Sequence, residues 1–175
     1  AAHGIFKDML GRGIVPNIIS YNTLISACAK HKAAKRAKEV FEKMKQQIVV
    51  PDKITYNSLI NANERAGRTD HALMFFEEMK EKGLVPDVFT YTAIFNACKR
   101  NHDCEQALDV FEEMKQNLVA PNLMTYNSLI SACEIGEHPE QALKVYETMS
   151  EHGCTPNVKT YNTLIRACEK MKDAN

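Results

Sequence analysis

Five residue series run through this chain of 175 residues in one unbroken step of 35. Tyrosines stand at Tyr21, Tyr56, Tyr91, Tyr126 and Tyr161, and prolines at Pro16, Pro51, Pro86, Pro121 and Pro156. Methionines follow at Met9, Met44, Met79, Met114 and Met149. Two alanine series, Ala2, Ala37, Ala72, Ala107, Ala142 and Ala27, Ala62, Ala97, Ala132, Ala167, keep the same step. Five coincident series without a slip leave no room for chance. A period of this length means one supersecondary element stacked on copies of itself.

Each repeat reads as two helices. The first is expected to open at a Ser/Thr-Tyr pair, as in Thr55-Tyr56, and Tyr56, Leu59, Ile60 and Asn63 give an i, i+3, i+4, i+7 frame. The second is expected from Asp70 to about Lys82, with Ala72, Phe75, Phe76 and Met79 on its buried stripe. Thr69 or Asp70 can cap its start, Gly83 and Pro86 stop it, and Pro139 falls near a first helical position. Nothing reads as strands. Neither helix can bury its stripe alone, so the expected fold is all-α, a solenoid of helix-turn-helix repeats. The boundaries are 1–17 (a second helix only), 18–52, 53–87, 88–122, 123–157 and 158–175 (a first helix only). Cys28, Cys98, Cys133 and Cys168, interrupted by Asn63, sit beside the alanines and read as packing thiols; Cys104 and Cys154 lie off that series. No disulfide framework is expected.

A composition of 45% hydrophobic and 25% charged residues suits a soluble globular protein. No apolar run is long enough to cross a bilayer, so no membrane association is expected, and no secretory signal is visible. The 22 basic and 22 acidic residues cancel, which argues against a protein coated in positive charge. The windows 18–31, 53–66, 88–101, 123–136 and 158–171 nevertheless hold a net +5, so positive charge gathers on the first helices. The six histidines follow no repeat step, no CxxC or HExxH spacing occurs, and there is no Gly-rich phosphate loop. Neither enzymatic activity, nor a metal, nor a cofactor is expected.

The repeat consensus, Tyr-Asn-Thr-Leu-Ile-Ser-Ala-Cys, then Ala-x-x-Val-Phe-Glu-x-Met-Lys, then Val-Pro-Asp/Asn, resembles the pentatricopeptide repeat over essentially the whole chain. Tetratricopeptide units instead carry a tryptophan, and this chain has none. The uniform period resembles that family's P class. The resemblance implies a right-handed superhelical α-solenoid that binds single-stranded RNA in mitochondria or chloroplasts, one base per repeat, in RNA processing, stabilisation, splicing or translation.

In the family, the residue after the first-helix tyrosine and the residue after the end-of-repeat proline together choose the base. The pairs here are Asn22 with Asp52, Asn57 with Asp87, Thr92 with Asn122, and Asn127 with Asn157. Asn162 opens a fifth pair, and Asn17 closes one that begins before Ala1. The family's code, with the RNA 5′ end toward the protein N-terminus, implies a core of 5′-U-U-A-(C/U)-3′. The resemblance assigns base sandwiching to Ile19, Ile54, Phe89 and Met124, with Lys159 breaking the series. It assigns phosphate contacts to Lys30, Arg65, Arg100 and Lys170, with Ile135 in the fourth repeat.

Helix capping explains the same residues, since Asp and Asn before a helix are preferred N-caps, and one residue can do both. The tyrosines fit packing better than RNA stacking. A protein–protein interaction scaffold remains the alternative function. Both ends of the chain present a repeat without its neighbour, so a fragment of a longer array with end-to-end self-association is expected. Sedimentation across a range of concentrations tests this; a concentration-independent monomer contradicts it.

Overall fold

The structure, a computed structural model, describes residues 2–173; Ala1, Ala174 and Asn175, which belong to the two terminal partial repeats, lie outside the described residues. It holds ten α-helices and no strand among those residues. They are α1 (Ala2–Gly11), α2 (Ile18–Lys30), α3 (Ala34–Gln46), α4 (Lys53–Arg65), α5 (Thr69–Glu81), α6 (Val88–Arg100), α7 (Cys104–Gln116), α8 (Leu123–Ile135), α9 (Pro139–Glu151) and α10 (Val158–Asp173). The chain forms two compact halves, one ending at Pro86 and the other starting at Asp87.

In the first half α2 packs on its partner α3 and on the next first helix α4, and α4 packs on α5. In the second half α6 packs on α7 and α8, and α8 on α9 and α10. First helices thus touch first helices, the stacking that unpartnered apolar stripes demand. The alanines make this approach close: Ala37, Ala72, Ala107 and Ala142, and Ala62, Ala97, Ala132 and Ala167, are fully buried.

The tyrosines are core. Tyr21, Tyr56, Tyr91 and Tyr126 are almost wholly buried. Each in-half pair meets a second-helix phenylalanine edge-on: Phe6–Tyr21 at 5.3 Å, Phe41–Tyr56 at 5.7 Å and Phe111–Tyr126 at 5.8 Å. The buried hydroxyls are satisfied, Tyr21 donating to Gln47, Tyr56 to Glu78 and Tyr91 to Glu113. Burial, with the Glu113 carboxylate adding to it, pushes the Tyr91 hydroxyl up to about 12. A second device repeats with the same step: Lys45, Lys80 and Lys115 lie over the rings of Phe41, Phe76 and Phe111 while pairing with Glu42, Glu77 and Glu112.

Two helix boundaries differ from the sequence expectation. The first helices start two residues before the Thr-Tyr pair: α4 begins at Lys53 behind the cap Asp52, so Thr55 is the third helical residue. α5 begins at Thr69 behind Arg68, with no side-chain cap, so neither Thr69 nor Asp70 caps it. Burial of Thr69 against the core outweighs a terminal hydrogen bond there. None of the six cysteines is in a disulfide, and Cys28, Cys98, Cys104 and Cys133 are buried. Cys104, off the repeat series, shares a thiol hydrogen bond with Cys133.

Second helices close with a Schellman motif, in which the residue two past the cap donates back to the methionine carbonyl: Val49 to Met44, Leu84 to Met79, Val119 to Met114. This needs a left-handed residue, supplied by Gly13, Gly83 and Gly153 but by Ile48 (φ 58°) and Leu118 (φ 56°) in two repeats. Their side chains are 88% and 92% exposed, so no packing offsets the strain. Ile48→Gly and Leu118→Gly should each raise stability by about 1 kcal/mol, read by urea denaturation, because relief of left-handed strain exceeds the added chain entropy.

Candidate nucleic-acid interface

The residue after each proline is held by the helix that follows it. Asn17, Asp52, Asp87 and Asn122 are N-caps with extended backbone, φ between −117° and −102°. In each, Oδ1 accepts the N–H of the third helical residue: Ser20, Thr55, Thr90 and Thr125. Asn157 does the same for Thr160 at 3.0 Å. Asp52 and Asp87 complete a capping box, since Thr55 and Thr90 accept from the cap's own N–H.

The residue after each tyrosine reaches this cap from one repeat earlier. In the first half, Asn22 Nδ2 donates to Asp52 Oδ1 at 3.0 Å, and the Thr55 hydroxyl donates to Asn22 Oδ1 at 2.6 Å. In the second half, Asn127 Nδ2 donates to Asn157 Oδ1 at 3.4 Å, and Thr160 donates to Asn127 Oδ1 at 2.6 Å. Thr92 behaves differently: its hydroxyl donates to Val88 O at 2.7 Å in its own helix and lies 3.5 Å from the Thr125 hydroxyl. Asn57 is half-buried on α4, while Asp87 caps α6 in the other half. Asn162 is exposed on α10.

The side chains two before each tyrosine stand out of the fold. Ile19, Ile54, Phe89 and Met124 are 57–71% exposed. Met124, Leu123, Asn122, Asn127, Asn157 and Lys159 line a single open cavity of about 440 Å³. The Asn127–Asn157 pair therefore shares one space with Met124 and with Lys159, which takes the series position in the last, partial repeat.

Of the basic positions, Lys30 and Arg65 are exposed, with no ion-pair partner among the described residues. Arg100 is exposed at the end of α6. Lys170 is engaged: its Nζ lies 3.1 Å from the Glu134 carboxylate and donates to Glu134 O at 2.9 Å. Arg166 Nε approaches the same carboxylate at 3.8 Å. Glu134 is buried, and its pairing with α10 was not foreseen from sequence, because a helix-by-helix charge count does not show which cations a neighbouring repeat neutralises. Burial lowers the Lys99 ammonium below its ordinary value, reinforced by Lys159, Arg100 and Arg166, so positive charge is dense around α6 and α10.

The Ser or Thr before every tyrosine, at Ser20, Thr55, Thr90, Thr125 and Thr160, reads in the sequence only as the mark of a first helix. The contacts of Thr55 with Asn22 and of Thr160 with Asn127 do not show there.

The model of the pentatricopeptide repeat domain matches residues 4–65 and 74–134. A second model, the PPR repeat family, matches 124–170. The chain belongs to the pentatricopeptide repeat family. Among solved structures, it is similar to the pentatricopeptide repeat protein PPR10 in complex with an 18-nt psaJ RNA element, at 29% identity and TM-score 0.77, over 99% of this chain and 27% of that one. PPR10 from maize matches at 30% identity and TM-score 0.76, over 98% of this chain and 25% of that one. The PPR domain of Arabidopsis thaliana protein-only RNase P 1, in complex with tRNA, shares the fold at 17% identity and TM-score 0.83, over 96% and 89% of the two chains. This pentatricopeptide chain spans about a quarter of the PPR10 chains. A search of curated proteins finds no match.

Burial pulls the Asp52 carboxyl upward, but hydrogen bonds from Thr55, Asn22 and Ile54 win and hold it below its ordinary 3.8. A depressed carboxyl stabilises the fold above its unfolded value and loses that contribution as pH falls through the folded value. Asp52→Asn keeps the cap, as Asn122 does, and should flatten the acid limb of stability below about pH 4. Urea midpoints of both proteins from pH 6 down to pH 2.5 measure the difference.

Proposed function

We propose that this chain binds single-stranded RNA, one base per repeat, with the core 5′-U-U-A-(C/U)-3′. One observation carries it: side chains from successive repeats meet in pairs, Asn22 on Asp52 and Asn127 on Asn157, and the second pair lines a cavity beside an exposed apolar side chain. RNA binding by the PPR10 chain it resembles adds support.

The capping geometry gives the pairs a chemical meaning. Oδ1 of the second residue is consumed by the helix N-terminus, so only the other arm is left for a ligand. In Asp52 that arm is Oδ2, an acceptor; in Asn122 and Asn157 it is Nδ2, a donor. Uracil presents an imino N–H, which needs an acceptor. Adenine and cytosine present a bare ring nitrogen, which needs a donor. The Asp repeats therefore suit U and the Asn repeats suit A or C, with Asn157 also able to donate to a uracil carbonyl. Thr92, shorter than asparagine and turned toward Val88 O, leaves room for the purine in the third repeat.

Ile19, Ile54, Phe89 and Met124 flank the bases, Phe89 giving the strongest stacking, about 1–3 kcal/mol. Lys30, Arg65 and Arg100 carry most of the phosphate attraction. Lys170, whose charge Glu134 already answers, adds less. Few phosphate contacts make binding modest and steeply salt-dependent. The setting we infer is a mitochondrion or chloroplast, in RNA processing, stabilisation, splicing or translation.

Titration with 5′-UUAC-3′ and 5′-UUGC-3′ oligonucleotides at low salt tests the assignment. The wild-type chain should favour A at the third base by about 1–3 kcal/mol. Asn122→Asp keeps the cap, exchanges donor for acceptor, and should turn that preference toward G, whose imino N–H needs an acceptor. Equal binding of both oligonucleotides by both proteins removes base reading and returns the scaffold function.

A further inference from the structure

A side-chain amide is nearly symmetric in shape but not in chemistry: turning it over exchanges an acceptor for two donors. Base choice by Asn22 or Asn127 therefore depends on which end of the amide is turned out, and the residue itself does not fix that. We propose that Thr55 and Thr160 are positioning residues that set the amide orientation of Asn22 and Asn127, and so the base that each repeat accepts; this rests on the RNA reading above.

The hydrogen bonds close around each amide. Asp52 Oδ1 is a carboxylate oxygen and only accepts, so the atom 3.0 Å from it must be the Asn22 nitrogen. The Thr55 hydroxyl accepts the Asp52 N–H at 3.1 Å, and its own hydrogen has two acceptors in reach, Asn22 Oδ1 at 2.6 Å and Asp52 Oδ1 at 3.0 Å, of which the shorter contact is to Asn22. Thr55 is fully buried, so water does not compete for this bond. The result leaves Asn22 one outward hydrogen on Nδ2. Thr160 repeats the arrangement: it accepts the Asn157 N–H at 3.1 Å and donates to Asn127 Oδ1 at 2.6 Å, again fully buried. The third repeat lacks it, because Thr92 has no amide to orient and its contact with Thr125 is long, at 3.5 Å. In these two repeats specificity then rests on three residues per base, the third lying in the next repeat, 33 residues on.

Thr55→Val removes the hydroxyl and keeps the shape; Thr55→Ser keeps the hydroxyl. Anisotropy with labelled 5′-UUAC-3′, 5′-CUAC-3′ and 5′-UUGC-3′ reads first-base and third-base preference in the same proteins. Thr55→Val should cut the U-over-C preference at the first base by about fivefold, the worth of one hydrogen bond. The A-over-G preference at the third base should stay unchanged, and Thr55→Ser should restore the first. A first-base preference that survives in Thr55→Val overturns the inference. Should Thr55→Val fail to fold, Thr160→Val, read as the pyrimidine-over-purine preference at the fourth base with 5′-UUAC-3′ against 5′-UUAA-3′, makes the corresponding measurement. A wild-type chain indifferent to the first base would instead overturn the RNA reading. NMR of the free chain separates the two failures. Threonine control predicts that the Asn22 side-chain amide protons shift and exchange faster in Thr55→Val, and their constancy overturns it without any RNA.

Discussion

One oxygen of the side chain after each repeat's proline is spent on the helix that follows, and the rest of the site is arranged around that bond. The proline keeps the chain extended, the next residue takes the cap, and the helix start is thereby fixed to a single residue in each first helix. Because the start is fixed, the threonine at the third helical position lands under the preceding repeat's asparagine. The tyrosine one residue later then enters the core against a phenylalanine of the preceding second helix. Capping, the pairing of side chains between repeats, and packing share one register, so a slip in any of them would misplace the others.

This is why so much was legible in the sequence. The helix pairs, the stacking and the buried faces of Tyr56, Ala72 and Met79 follow from residue type at a fixed step. Asp52 and Asn157 were legible both as caps and as members of pairs, and the structure shows the caps and brings Asn22 and Asn127 onto them. What the sequence concealed depends on contacts between repeats. The hydroxyl of Thr55 is ordinary in its own helix and acquires meaning only beside Asn22. Lys170 looks like its equivalents Lys30 and Arg65 until Glu134 of the preceding first helix is seen against it, 36 residues back. The uncapped start of α5 escaped for the same reason, since core burial at Thr69 is a tertiary fact.

The charge distribution acquires a sense within this frame. A chain with no net charge holds nucleic acid poorly through long-range attraction alone, which leaves the discrimination to groups that touch the bases. The first helices together carry net positive charge, which is partly answered there, as Glu134 answers Lys170 and Arg166. On the proposed reading, such a surface would steer a phosphate backbone without gripping every strand equally.

The double duty of the capping residue also limits what each repeat can say. Good N-caps that offer two chemically distinct arms are few, and Asp and Asn are the pair of matching shape. Serine or threonine would cap but extend no second group toward a ligand, and a longer or apolar side chain would give up the cap. The second position is therefore confined to a choice between acceptor and donor, the choice made by Asp52 and Asp87 on one side and Asn122 and Asn157 on the other. Exchange between them leaves the fold almost untouched while reversing the hydrogen-bond polarity offered to a base. The position after tyrosine has no such duty, so it is free to vary in size, as Asn127 and Thr92 do. On the proposed reading, a two-valued polarity switch from the cap combines with a size choice from the helix face, so that two residues narrow the base each repeat accepts. The buried threonine, in the inference drawn above, keeps the amide half of that combination from turning over.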